Sequence, residues 1–140
     1  MKKVRVALIG CGRVARVHAD ALVQLEETEL AAVVDIKPDR AEAFSKHYGV
    51  KGYTDYREVL ELDDIDAVQI ATPHYVHAEI AIAALKAGKD VLTEKPMAIT
   101  VEDMEAMIRT ADECGRTLGV IFQNRYNDAS QAVKKAVEEG

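Results

Sequence analysis

The sequence predicts an α/β domain, a doubly wound and mostly parallel sheet of six strands with helices on both faces. Three observations carry this. Apolar, β-rich runs alternate with segments of helical period along the whole chain. The strand runs lack the polar alternation of a half-solvated sheet, which is how strands buried on both faces read. The first run then enters a glycine turn at the mouth of a helix.

The elements follow in order. Val4–Ile9 is the first strand, and Arg13–Leu25 is a helix with Val14, Val17, Ala21, Leu22 and Leu25 at helical spacing. Glu29–Asp35 is the second strand. Pro38–Tyr48 is a helix with Pro in its first turn and Gly49 at its end. Lys51–Thr54 is a short strand and Tyr56–Leu62 a short helix. Ala67–Ala71 is a strand, Pro73–Lys86 a helix stopped by Gly88, and Asp90–Thr93 a strand. Thr100–Glu113 is a helix whose Thr100 and Asp103 have capping-box spacing, closed by Gly115. Thr117–Phe122 is the last strand and Asp128–Glu139 the last helix. With no repeat, low-complexity tract or Gly/Ser linker, residues 1–140 read as one domain: a core over 1–122 and a crossover segment with its helix over 123–140.

Composition narrows the function. The 140 residues are 49% hydrophobic and 30% charged, an ordinary globular mix. A net charge of −6, spread along the chain, repels nucleic acid and anionic membrane. There is no Trp and only two Phe, so stacking platforms for single strands are scarce. No run reaches the ~18 apolar residues of a membrane span. Cys11 and Cys114 make neither a disulfide framework nor a CxxC pair, and the four histidines have no ligand spacing, so no metal is expected. A reducing cytoplasm is the expected location.

Gly10-Cys11-Gly12-Arg13-Val14-Ala15 is the G-x-G-x-x-A form of the dinucleotide fingerprint, in its required place between strand and helix. Gly10 permits the turn, Gly12 leaves room for a pyrophosphate, and Ala15 lets the helix approach the sheet. The helix N-terminus offers free N–H groups to phosphate. Arg13 either adds charge there or is solvated. Asp35 ends the second strand, 20 residues after Ala15, where a carboxylate accepts from ribose hydroxyls and Ile36 follows it. It repels a 2′-phosphate and so favours NAD over NADP, although Lys37 could screen or bind such a phosphate. The rival reading of the same loop and acid is an S-adenosylmethionine-dependent methyltransferase.

In a doubly wound sheet, ligands lie beyond the carboxyl ends of the strands. Three polar segments fall there: Thr72-Pro73-His74-Tyr75-Val76-His77, Glu94-Lys95-Pro96 and Gln123-Asn124-Arg125-Tyr126-Asn127. Gly10, Gly12, Ala15, Asp35, Thr72-Pro73, His77, Glu94-Lys95-Pro96 and Gln123-Asn124-Arg125-Tyr126 together resemble the nucleotide-binding Rossmann half of the Gfo/Idh/MocA oxidoreductases. The resemblance covers essentially the whole chain, and Glu-Lys-Pro is its most specific mark.

The resemblance implies a role for each matched residue. Lys95 is the catalytic-site lysine, near the nicotinamide and the substrate hydroxyl, and the Lys–Pro bond is often cis. Glu94 meets the nicotinamide ribose. Thr72 and Pro73 line the cofactor groove, and His77 reaches back to the cofactor or the glycine loop. Asn124, Arg125 and Tyr126 approach the substrate side. Plainer readings stand beside these: Lys95 as a surface lysine before a turn proline, His77 as a helix-surface histidine, Arg125 and Tyr126 as structural. Relatives mostly carry Asn where His74 stands, which leaves its role open. His18 and His47 read as structural or solvated, away from the strand ends.

The family's second half, an α+β domain with an Asp-x-x-x-His pair, does not occur in these 140 residues. The expectation is therefore a truncated or proteolysed piece of an NAD-dependent oxidoreductase that binds NAD(H) but turns over little. The parent would act on a carbinol carbon of a sugar, sugar nucleotide or cyclitol, and the missing half would build the homo-oligomer. The competing class is a non-catalytic NAD-binding or regulatory module.

Overall fold

The computed structural model describes residues 2–140. Six strands form one sheet: β1 (Val4–Ile9), β2 (Thr28–Val34), β3 (Lys51–Tyr53), β4 (Ala67–Ile70), β5 (Asp90–Thr93) and β6 (Leu118–Val120). All pairings are parallel, in the order β3-β2-β1-β4-β5-β6. The helices are α1 (Arg13–Gln24), α2 (Pro38–Tyr48), α3 (Tyr56–Leu60), α4 (His77–Lys86), α5 (Val101–Cys114) and α6 (Asp128–Glu139).

The unbroken apolar runs have their cause in two cores. Successive side chains of a strand point to opposite faces. In β1, Val6 and Leu8 join Ala15, Ala19 and Leu22 of α1 on one face. Ala7 and Ile9 join Ile80, Ala81, Ala84 and Met107 on the other. Ala15 is fully buried, as close approach of α1 to the sheet requires.

Local signals act where they were expected. Thr100 Oγ1 accepts from the Asp103 N–H at 3.1 Å, and Gly49 and Gly115 close α2 and α5 in the left-handed conformation. The differences are few. Pro73–Lys86 is not one helix: His74–Val76 form a 3₁₀ turn and α4 begins at His77. β6 is shorter at both ends than Thr117–Phe122. α6 buries none of its residues and packs on a 3₁₀ turn over Gln123–Tyr126, so the β5–β6 end of the α1 face stays open and Leu92 is 40% exposed.

Lys89, in the turn between α4 and β5, is buried. Its ammonium donates to the carbonyls of Leu62 (2.7 Å) and Ile65 (2.9 Å), tying β5 to the loop before β4.

Candidate functional site

The strand order reverses between β1 and β4, and a cavity of about 870 Å³ opens at their carboxyl ends. Gly10, Gly12, Arg13, Val14, Asp35, Ile36, Thr72 and Pro73 line it, so most of the expected cofactor residues meet at one place.

The glycine loop is built by steric necessity. Gly10 has φ +98°, and a Cβ there would lie 2.7 Å from the Ala71 carbonyl oxygen. Gly12 is different: a Cβ would meet no protein atom within 4 Å. The space that it keeps clear lies along the cavity wall, at the N-terminus of α1, which has no side-chain cap. The first-turn N–H groups and the helix dipole therefore face a clear approach, which fits a pyrophosphate.

Asp35 faces this loop. Its Oδ2 accepts from the Cys11 N–H and its Oδ1 from the Lys37 N–H, both at 2.9 Å. The carboxylate is thus held in place and retains lone pairs for further donors. Ile36, 86% exposed, presents an apolar surface beside it. Cys11 packs beneath with its Sγ on the Val34 carbonyl, and burial, then the Asp35 charge, push its thiol up to about 12. It is a neutral packing group, not a nucleophile.

The far wall holds residues that the motifs did not mark. Arg40, Tyr56, Arg57 and Glu79 line the cavity beside Lys37, and Tyr56 donates to Glu79 at 2.8 Å. Burial, then that bond, raises the Tyr56 pKa. These residues come from α2, α3 and α4, and only the fold brings them together. Thr72 Oγ1 is buried without a hydrogen-bond partner, an orphan that a bound polar ligand at this wall would satisfy.

At the β5 end Lys95 is exposed, and the Lys95–Pro96 peptide is cis, as the resemblance implies. Glu94 is only 7% exposed and does not line the cavity. His18 Nε2 lies 2.8 Å from its Oε1, and its Oε2 accepts from the Lys95 N–H at 3.1 Å. His18 is therefore not remote from the strand ends: it sits one turn along α1, on the face turned to β5. The 3.6-residue period carries that signal, since His18 follows Ala15 by three positions and precedes Leu22 by four.

His77 is fully buried and outside the cavity lining, with Nδ1 2.9 Å from the Pro96 carbonyl and Nε2 3.0 Å from the Thr72 carbonyl. The expected contact with cofactor or glycine loop gives way to a bridge between two strand-end loops, because α4 starts at His77 and not a turn earlier. It is not a surface histidine either. Asn124, Arg125 and Tyr126 are exposed on the second 3₁₀ turn and do not line the cavity. His47 is exposed on α2. Among the described residues, no cluster of His, Cys, Asp and Glu could hold a metal ion, and no helix is long and apolar enough to cross a membrane.

Residues 4–122 match the family model described as the oxidoreductase family, NAD-binding Rossmann fold (GFO_IDH_MocA). The chain belongs to the Gfo/Idh/MocA oxidoreductase family. The match sets aside the methyltransferase reading and makes the cavity that of an NAD-binding Rossmann domain. Among curated relatives, the chain is 33% identical to myo-inositol 2-dehydrogenase of Thermotoga maritima, covering 98% of this chain and 41% of the relative. It is 38% identical to glucose-6-phosphate 3-dehydrogenase of Bacillus subtilis, covering 90% of this chain and 35% of that protein. Among solved structures, the WlbA dehydrogenase from Bordetella pertussis, in complex with NADH and UDP-GlcNAcA, superposes with a TM-score of 0.95 at 37% identity, covering 99% of this chain and 43% of that one. A mutant 3-ketoreductase from Actinomadura kijaniata, in complex with TDP-benzene and NADP, gives 0.92 at 33% identity, covering 99% and 45%. The chain thus spans less than half the length of these relatives.

Proposed function

We propose that this chain is the cofactor-binding part of an NAD-dependent dehydrogenase that acts on a carbinol carbon of a sugar, sugar nucleotide or cyclitol. The observation that carries it is the empty space at Gly12 beside the uncapped start of α1, with the fixed Asp35 carboxylate across from it. The pyrophosphate lies at Gly10, Gly12, Arg13 and Val14. The adenosine ribose lies at Asp35 and the adenine on Ile36. The nicotinamide end lies toward Thr72, Pro73 and the Glu94-Lys95 segment. The names of the relatives, inositol and sugar dehydrogenases among them, support the substrate class.

Bound NAD supplies a hydride acceptor at its nicotinamide ring. The chain's own work is to bind, orient and move a proton. Lys95 hydrogen-bonds the substrate oxygen and takes or relays its proton as the carbon is oxidised. Asn124, Arg125 and Tyr126 stand on the substrate side, on the crossover segment 123–140. NAD is preferred to NADP because two backbone donors keep Asp35 where a 2′-phosphate would sit. The net charge of −6 and the exposed free thiol of Cys114 support a protein of the reducing cytoplasm that works without nucleic acid or membrane.

Calorimetric titration with NAD and NADP tests the reading, with Asp35→Ala as control. Heat from NAD that is lost in the variant is expected. No heat from either nucleotide overturns the assignment.

A further inference from the structure

The Glu94-Lys95-Pro96 segment is fixed at both ends by a histidine, and each histidine comes from a different helix. At its start, the Glu94 carboxylate lies between His18 Nε2 and the Lys95 N–H, with the two side chains 12% and 10% exposed. At its end, the Pro96 carbonyl lies against His77, which also contacts the Thr72 carbonyl. Between the two sits Lys95, exposed and outside any strand or helix. The segment's own tie to the sheet is the Glu94 N–H on the Ile70 carbonyl, at 2.9 Å.

We propose that His18 and His77 are positioning residues that set where Lys95 stands relative to the dinucleotide. This rests on the reading of the cavity as an NAD site. His18 links the segment to α1, whose first turn faces the pyrophosphate. His77 links it to the end of β4, whose Thr72 lines the cavity. The lysine is thereby referenced to both walls of the groove, although neither histidine lines it. A buried carboxylate needs its donors, and removing the His18 ring leaves Glu94 with the Lys95 N–H alone. A neutral imidazole donates through one nitrogen and an imidazolium through both, so loss of the His77 ring removes at least one bond and the packing between the two loops.

The test compares NADH, which has a nicotinamide, with ADP-ribose, which has none. His18→Leu and His77→Leu should keep ADP-ribose affinity within about twofold, while NADH affinity falls about tenfold and its fluorescence gain on binding shrinks. His18→Gln retains an N–H donor to Glu94 and should restore the NADH preference. Equal losses for both ligands, no loss for either, or a Gln variant as impaired as Leu overturns the proposal. If the Leu variants do not fold, the unaltered chain decides. Ring N–H protons of His18 and His77 should exchange slowly in a ¹H–¹⁵N spectrum and shift more with NADH than with ADP-ribose. Fast exchange, or equal shifts, overturns it. Failure of the unaltered chain to bind either ligand is a different result, because it removes the cofactor reading itself.

Discussion

Gly10→Ala and Gly12→Ala should fail in opposite ways. At Gly10, φ is +98°, where an L side chain costs about 1–2 kcal/mol. The new Cβ would also sit 2.7 Å from the Ala71 oxygen and 2.8 Å from its carbonyl carbon. Both are backbone atoms of the buried β4 end and cannot swing aside, so overpacking adds about 1–3 kcal/mol. The expected loss is therefore about 2–5 kcal/mol out of a total of about 5–15. That corresponds to a fall of about 6–15 °C in Tm for a domain of this size. At Gly12 nothing lies within 4 Å and φ is negative, so only the poorer N-cap preference of Ala counts and stability should fall by no more than about 1 kcal/mol. The added methyl enters the space reserved for the pyrophosphate, so NADH affinity should fall at least about tenfold, or 1.4 kcal/mol. Urea denaturation gives the first quantity through Cm at constant m, and NADH fluorescence titration gives the second. A Gly10→Ala chain within about 1 kcal/mol of the parent would refute the steric argument. A Gly12→Ala chain that binds NADH unchanged would refute the placement of the phosphates.

Other substitutions probe the rest of the site. Asp35→Ala should weaken NAD binding about 10- to 100-fold, since it removes charged acceptors for the ribose and frees the Cys11 N–H, as calorimetry would show. In the whole dehydrogenase of which the chain is proposed to be the cofactor-binding part, Lys95→Ala should lower kcat for hydride transfer by about 10²–10⁴, read in steady-state assays with a polyol or sugar substrate. The buried Cys11 thiol, pushed up to about 12, should resist a disulfide reagent at pH 8 while the exposed Cys114 reacts: one titratable thiol in the native chain, two in denaturant. The same shift gives a pH dependence. The folded pKa lies above the unfolded value of 9.0, so the stability held by the neutral thiol is full below pH 9 and is lost as pH rises from 9 toward 12. Alkaline melts of Cys11→Ala should be flatter over that window.

The fold was legible because each element carries its own local signal. Apolar runs without alternation at Val4–Ile9 and Ala67–Ile70 state burial on two faces. Thr100, Gly49 and Gly115 state helix ends in residue chemistry that acts over three or four positions. The glycine loop and Asp35 were legible for the same reason, as neighbours across a single β-α-β unit. What stayed hidden was long-range pairing. His18 and Glu94 are 76 positions apart, and nothing local to either marks the other. His77 was placed a turn too deep in its helix because Pro73 is as compatible with a 3₁₀ start as with an α start. Nothing local marks Lys89 as buried, because its two carbonyl partners come from a loop before β4.

The site's division along the chain bears on how such a protein can change over generations. Residues 4–37 form one unbroken β-α-β piece that carries Gly10, Gly12, Arg13, Val14, Asp35 and Ile36 of the cavity lining. The other side is drawn from the separate ends of β4 and β5 and from the 3₁₀ turn beyond β6. Under the proposed function, substitutions in those later segments would alter the substrate side and leave the nucleotide wall intact, because the two share almost no stretch of sequence. His18 is the exception. It lies in the β-α-β piece yet contacts Glu94 at the end of β5, so a change at that strand end would first be felt there by the glycine-loop half.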